Sequence, residues 1–120
     1  MNKYPDPSYE PISSELNAQE EDTMLTLDII RKKLRKDMKH LSERYKVSSL
    51  QVFGSFSRGE QTEHSDIDIL VEFRQTIDLF DYVELELHLG ELLGQKVDLV
   101  TRTGLKPRIK ENVLKEAVEI

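Results

Sequence analysis

Asp66 and Asp68 stand two residues apart at the front of an apolar run, Ser65-Asp66-Ile67-Asp68-Ile69-Leu70-Val71. Side chains alternate along a strand, so both carboxylates project to one face while Ile67 and Ile69 project to the other. Converging carboxylates are hard oxygen ligands of the kind that hold Mg²⁺ together with substrate phosphates. Upstream, separated from Asp66 by ten residues, lies Gly54-Ser55 within Leu50-Gln51-Val52-Phe53-Gly54-Ser55-Phe56-Ser57-Arg58-Gly59. Glycine where a strand breaks into a helix permits close backbone approach, and the helix start offers unpaired N–H groups to phosphate. Ser55 adds a hydroxyl there and Arg58, one turn on, a guanidinium. Alone, Asp-x-Asp reads as turn residues and Gly-Ser as an ordinary capped turn. Together, at this separation, they suit Mg²⁺ and a nucleoside triphosphate.

A third carboxylate, Asp98, interrupts the apolar run Lys96-Val97-Asp98-Leu99-Val100. Alternation sends Val97 and Leu99 one way and Asp98 with Val100 the other. An acid so placed is either an edge-strand residue in solvent or one that needs a partner or metal. If this strand neighbours Ile67 to Phe73, all three carboxylates share a face.

The elements that must position these groups follow from periodicity. Leu27, Ile30, Leu34, Met38, Leu41 and Tyr45 recur at spacings of three and four, which predicts an amphipathic helix with Asp22 or Thr23 as its cap. Leu50 to Phe53 reads as a buried strand, Ser55 to about Gln61 as a short helix, and Ile67 to Phe73 as the second strand. Asp78 caps a helix running to Leu93, with Phe80, Val83, Leu87 and Gly90 on its apolar stripe and Gly94 as its stop. Lys96 to Val100 is a third strand. Pro107 suits the first turn of a last helix with Ile109, Val113 and Ala117 inward, and Val118 to Ile120 adds a short edge strand. Such alternation usually marks a doubly wound parallel sheet. Here the link from Phe53 to Ile67 is short, and an antiparallel first pair sets Gly54 beside Asp66 directly. The expected fold class is therefore α+β, a small mixed β-sheet packed with helices.

The 120 residues suffice for one small core. Six acids against Lys3 over residues 1–22 hold five of the six net negative charges, and three of the four prolines lie there too. This predicts a flexible acidic arm, residues 1–22, ahead of a domain at 23–120. An acidic chain is a poor generic nucleic-acid binder, so no direct nucleic acid is expected. The run Arg31-Lys32-Lys33-Leu34-Arg35-Lys36 is the exception, and reads as a solvated helix face or a contact for an acidic partner or a nucleic acid. Cysteine is absent, which excludes disulfides and thiolate zinc sites. His40, His64 and His88 lack zinc-ligand spacing. No apolar leader or membrane-length run is present, so a cytoplasmic protein with no membrane contact is expected.

Gly54-Ser55, ten residues, then Asp66-x-Asp68 resembles the nucleotidyltransferase superfamily of DNA polymerase β, and within it the stand-alone minimal nucleotidyltransferases, the MNT family. The flanks Phe53 to Glu60, Ser65 to Val71, Leu92 to Val100 and Leu114 to Val118 are similar as well, so the resemblance spans about Leu25 to Ile120. It implies the polymerase β palm-like nucleotidyltransferase fold. It implies transfer of a nucleoside monophosphate from a triphosphate such as ATP, with Asp66, Asp68 and Asp98 holding Mg²⁺, two ions in the full arrangement. Asp98 would also help activate the attacking hydroxyl, and Gly54, Ser55 and Arg58 would bind phosphate. Members of the family often act as antitoxins to a HEPN-domain ribonuclease toxin, some by transferring AMP to a tyrosine of that toxin. The alternatives are a non-catalytic antitoxin that works by binding, and a small-molecule (antibiotic) nucleotidyltransferase.

Overall fold

The computed structural model describes residues 24–120, so the acidic arm expected at residues 1–22 lies outside the described residues. Helix α1 (Leu27–Tyr45) buries Ile30, Leu34, Leu41 and Tyr45, while Lys32, Lys33, Arg35 and Lys36 face solvent. Its cap is Thr26 rather than Asp22 or Thr23: the threonine hydroxyl accepts the Ile29 N–H at 3.3 Å. Any of the three residue types could cap in sequence, and the one nearest the first apolar turn does so.

Strand β1 (Val47–Phe53) begins three residues before the expected Leu50. A bulge between Val47 and Ser49 inserts an extra residue, so Val47 and Leu50 both reach the core despite their odd spacing. Helix α2 (Ser55–Arg58) is a single turn, shorter than the expected run to Gln61, because Gly59 turns left-handed at φ 71° and closes it. Strand β2 (Ile67–Phe73) lies antiparallel to β1, with Phe53 opposite Asp68. Helix α3 (Leu79–Leu93) is capped by Asp78, whose carboxylate accepts the Asp81 N–H at 2.8 Å, and is stopped by Gly94. Strand β3 (Val97–Thr101) runs parallel to β2. A 3₁₀ turn (Arg102–Gly104) leads to helix α4 (Pro107–Glu116), with proline in its first turn, and to β4 (Val118–Glu119), antiparallel to β1. The sheet order is β3-β2-β1-β4, a mixed sheet as expected.

Alternation divides the sheet into two unequal faces. Ile67, Ile69 and Val71 of β2 join Leu50 and Val52 of β1 and Val97 and Leu99 of β3 in the main core under α1 and α3. On the opposite face Leu70 packs with Leu105 and Val113, bordered by Phe53, Val100 and Leu114, under the shorter α4. Asp68 and Asp98 share that second face, beyond the small apolar cluster.

The stripe expected on α3 proves to be its outer face. Phe80 is 85% exposed, Leu87 65% and Val83 45%, whereas Leu85, Leu89 and Leu93 enter the core. The helix carries apolar residues at helical spacing on two sides, and periodicity alone does not say which side meets the sheet. On α4, Val113 is buried, but Ile109 is 41% exposed rather than inward. No helix among the described residues is long and apolar enough to cross a membrane.

Candidate active site

The parallel pairing of β2 with β3 sets Asp68 directly beside Asp98. In-register neighbours in a sheet lie about 4.8 Å apart and point to the same side, so the two carboxylates project together. Asp66 precedes β2 by one residue and is clamped on both sides. The Gln95 amide donates to the Ser65 carbonyl, and the Ile67 N–H donates to the Lys96 carbonyl at 2.9 Å. All three predicted carboxylates therefore gather at one end of the sheet, where β2 and β3 begin.

Gly54 borders the same place. Its backbone, at φ 77° and ψ −151°, lies in a region that only glycine occupies readily. A Cβ there would run into the Asp68 carboxylate, with Cγ at 3.1 Å and Oδ2 nearer still. The close approach inferred for this glycine is thus toward a carboxylate as well as toward any phosphate. Ser55 follows, half-buried, while Ser57 donates its hydroxyl back to the Gly54 carbonyl at 2.8 Å and braces the turn.

Two residues near the site escaped the sequence reading. Glu116, at the end of α4, accepts the Gly54 N–H at 2.9 Å and accepts from Arg58 Nη1 at 3.1 Å through both oxygens. Arg58 Nε in turn donates to Glu60 at 2.9 Å. Arg58 therefore stands at the site's margin with two carboxylates already upon it. Nothing local foretells Glu116, because only the pairing of β4 with β1 carries it across from a distant part of the chain. The second is Lys96, whose ammonium lies 4.0 Å from the Asp66 carboxylate. Here a signal existed: the strand expected from Lys96 to Val100 sets Lys96 and Asp98 two apart on one face, although β3 itself begins at Val97.

Three carboxylates facing one another are electrostatically frustrated. Asp68 is pushed up from 3.8 to about 6, first by burial, then by Asp98 and Asp66; Arg58 opposes the rise and Glu116 adds slightly to it. Among the described residues, no three histidine or carboxylate side chains close tightly enough to enclose a metal ion by themselves. Catalytic Mg²⁺ asks for less, one or two carboxylates completed by substrate phosphates and water. An all-oxygen donor set whose negative charge Lys96 and Arg58 offset only in part fits such an open site.

That frustration has a measurable consequence. A carboxyl group whose folded pKa lies above its unfolded value favours the fold while protonated, so its benefit grows as pH falls through about 6 toward 3.8. Asp68→Asn, a mimic of the protonated acid, should melt higher than wild type at about pH 7.5, with the gap narrowed by about pH 5 and closing only toward 3.8. Thermal melts of both metal-free proteins at the two pH values check this. A gap that widens on acidification would contradict it.

Elsewhere, His40 and His88 meet despite their distance in sequence, with ring centroids 5.1 Å apart. His88 pairs there with Asp37 at 2.7 Å, remote from the carboxylate face.

Comparison with known proteins decides the family. Residues 31–120 match the model of the nucleotidyltransferase domain. The chain belongs to the nucleotidyltransferase family. Among nucleotidyltransferases of known name, it is 46% identical over 97 residues to the protein adenylyltransferase MntA of Thermococcus cleftensis, an alignment covering 81% of this chain and 98% of that one. A solved minimal nucleotidyltransferase superposes with TM-score 0.68 at 40% identity, covering 82% of this chain and 99% of the other. A toxin–antitoxin complex with AMP-PNP gives TM-score 0.59 at 31% identity, covering 71% of this chain and 69% of the other. The complex of tri-AMPylated Shewanella oneidensis HEPN toxin with its MNT antitoxin gives 0.55 at 26%, covering 75% and 70%. The expected minimal nucleotidyltransferase fold is therefore the one found.

Proposed function

We propose that the chain is a Mg²⁺-dependent adenylyltransferase that moves AMP from ATP to a hydroxyl, a tyrosine, of a HEPN-domain partner and so acts as that partner's antitoxin. The observation that carries the reading is the face shared by Asp66, Asp68 and Asp98 beside the Gly54 turn. A protein that only bound its toxin would gain nothing from packing three carboxylates together, a cost registered in the raised Asp68. The MntA relative is a protein adenylyltransferase, and the two toxin–antitoxin complexes carry AMP-PNP in one case and an AMPylated HEPN toxin in the other. These favour ATP as donor and a protein as acceptor. The exposed apolar ridge of α3 is also of the kind that protein partners cover.

In this reading Asp66 and Asp68 hold Mg²⁺ and Asp98 completes the set. When bound, the ions neutralise phosphate charge and stabilise both the attacking and the leaving oxygen. Gly54 keeps the turn open to phosphate, and the Ser55 hydroxyl and Arg58 contact phosphate oxygens. Among the described residues nothing bonds Arg58 Nη2, while Nε and Nη1 stay on Glu60 and Glu116. The acceptor oxygen bonds to the α-phosphorus as the bond to the bridging oxygen breaks. The hydroxyl proton passes to Asp98, and pyrophosphate leaves. Positioning and charge neutralisation supply most of the acceleration, as in phosphoryl transfer generally. ATP as the donor favours the cytoplasm as the place where the protein works.

Transfer of label from α-phosphate-labelled ATP tests the reading when the partner protein and a panel of aminoglycoside hydroxyl acceptors are offered in parallel. Label on the partner alone is expected. Label on a small molecule alone would establish the antibiotic-modifying alternative, and no label with tight partner binding would establish the non-catalytic one.

A further inference from the structure

We infer that Tyr82 and Glu86 of α3 are positioning residues for Asp98, gripping Leu99, the residue that follows it. The inference rests on the proposed role of Asp98 and deepens it. Strand β3 is an edge of the sheet, so Leu99 turns its N–H and C=O away from β2 with no strand to receive them. Both are taken by side chains of one helix. The Leu99 N–H donates to Glu86 Oε2 at 2.9 Å, and the Leu99 carbonyl accepts the Tyr82 hydroxyl at 2.7 Å. Tyr82 and Glu86 are four residues apart on α3, one turn, which lets the pair close on a single residue of the strand.

The grip bears on Asp98 because the Asp98–Leu99 peptide is the bond held by Glu86. Leu99 is itself only 4% exposed, with its side chain in the main core, whereas Asp98 next to it is exposed. With Leu99 fixed by its side chain, N–H and carbonyl, Asp98 leaves the strand in one direction, across from Asp68. A short edge strand without such a hold opens easily. The Tyr82 hydroxyl is raised by burial, then by the charges of Glu86 and Asp98, so it stays a donor at neutral pH. Glu86 is half-buried and turns one carboxylate oxygen onto the Leu99 N–H.

Because misplacing a reacting group by about 1 Å costs on the order of a hundredfold, the effect should fall on turnover rather than on nucleotide binding. Tyr82→Phe and Glu86→Leu are expected to lower kcat for AMP transfer by about ten- to a hundredfold, with the KM for ATP changed by no more than about twofold. Glu86→Gln keeps an oxygen for the Leu99 N–H and should restore most of the rate. Hydrogen exchange at the Leu99 amide, read in the nucleotide-free protein, should quicken in Glu86→Leu and not in Glu86→Gln. The inference is overturned if Glu86→Leu frees the Leu99 amide yet turns over normally, or if Glu86→Gln fails as badly as Glu86→Leu. A rise in KM with unchanged kcat would likewise overturn it. A wild-type chain that transfers no AMP would remove the functional reading, and this inference with it.

Discussion

Asp66→Asn combined with Asp68→Asn is expected to abolish nucleotidyl transfer while leaving a folded protein that melts no lower than wild type. The two carboxylates are the proposed Mg²⁺ ligands, and metal-ion stabilisation of a phosphoryl transition state is worth several kcal/mol. The loss should therefore reach about three orders of magnitude or more. Stability moves the other way because the metal-free site is overloaded with negative charge, as the raised Asp68 shows. Asparagine keeps the shape and removes the repulsion. The two halves of this result belong together: a double variant that loses activity by unfolding would say nothing of catalysis, whereas a stable, inactive one isolates the charge. An AMP-transfer assay across a Mg²⁺ titration, beside a thermal melt, measures both. Undiminished transfer would remove Asp66 and Asp68 from the metal site.

Gly54→Val should do nearly as much damage through the backbone. At φ 77° and ψ −151° a side chain costs about 1–3 kcal/mol in conformation alone. The new Cβ would also press into the Asp68 carboxylate, and the isopropyl group would cover the turn that phosphate approaches. ATP affinity should be lost and the melting temperature lowered, by several degrees per kcal/mol in a domain of this size. Ser55→Ala removes one hydroxyl and leaves the turn intact, so its effect should be about tenfold on ATP affinity, that of a single hydrogen bond to a charged group. If Gly54→Val binds ATP normally in a calorimetric titration, the phosphate-cradle role of this turn is wrong.

The parts of the molecule that could be read in advance are those whose signals are local. Asp78 and Gly94 bound α3 because capping chemistry is written within one turn of each end. The convergence of Asp66, Asp68 and Asp98 followed from strand alternation once β2 and β3 were taken as neighbours, and their parallel pairing supplies that condition. Errors arose where a local pattern admitted two solutions. Phe80, Val83 and Leu87 are as regular a stripe as Leu85, Leu89 and Leu93, and only packing against the sheet chooses between them. The polar pair Ser48-Ser49 hid the start of β1, since the bulge that keeps Val47 in register depends on its partner strand. Glu116, Tyr82 and Glu86 were invisible for a deeper reason. Each acts on a backbone group far away in sequence, Gly54 in the first case and Leu99 in the others. No spacing rule records such an encounter, because the side chain of the residue so held plays no part in it.

Intact-mass analysis of the HEPN-domain partner, coproduced once with the wild-type chain and once with the Asp66→Asn, Asp68→Asn variant, tests the central claim most directly. The account predicts a partner heavier by one or more AMP units beside the wild type, modified on tyrosine, and an unmodified partner beside the variant. A partner that stays unmodified with the wild-type chain in the presence of ATP and Mg²⁺, or one that is modified equally by the variant, would contradict it.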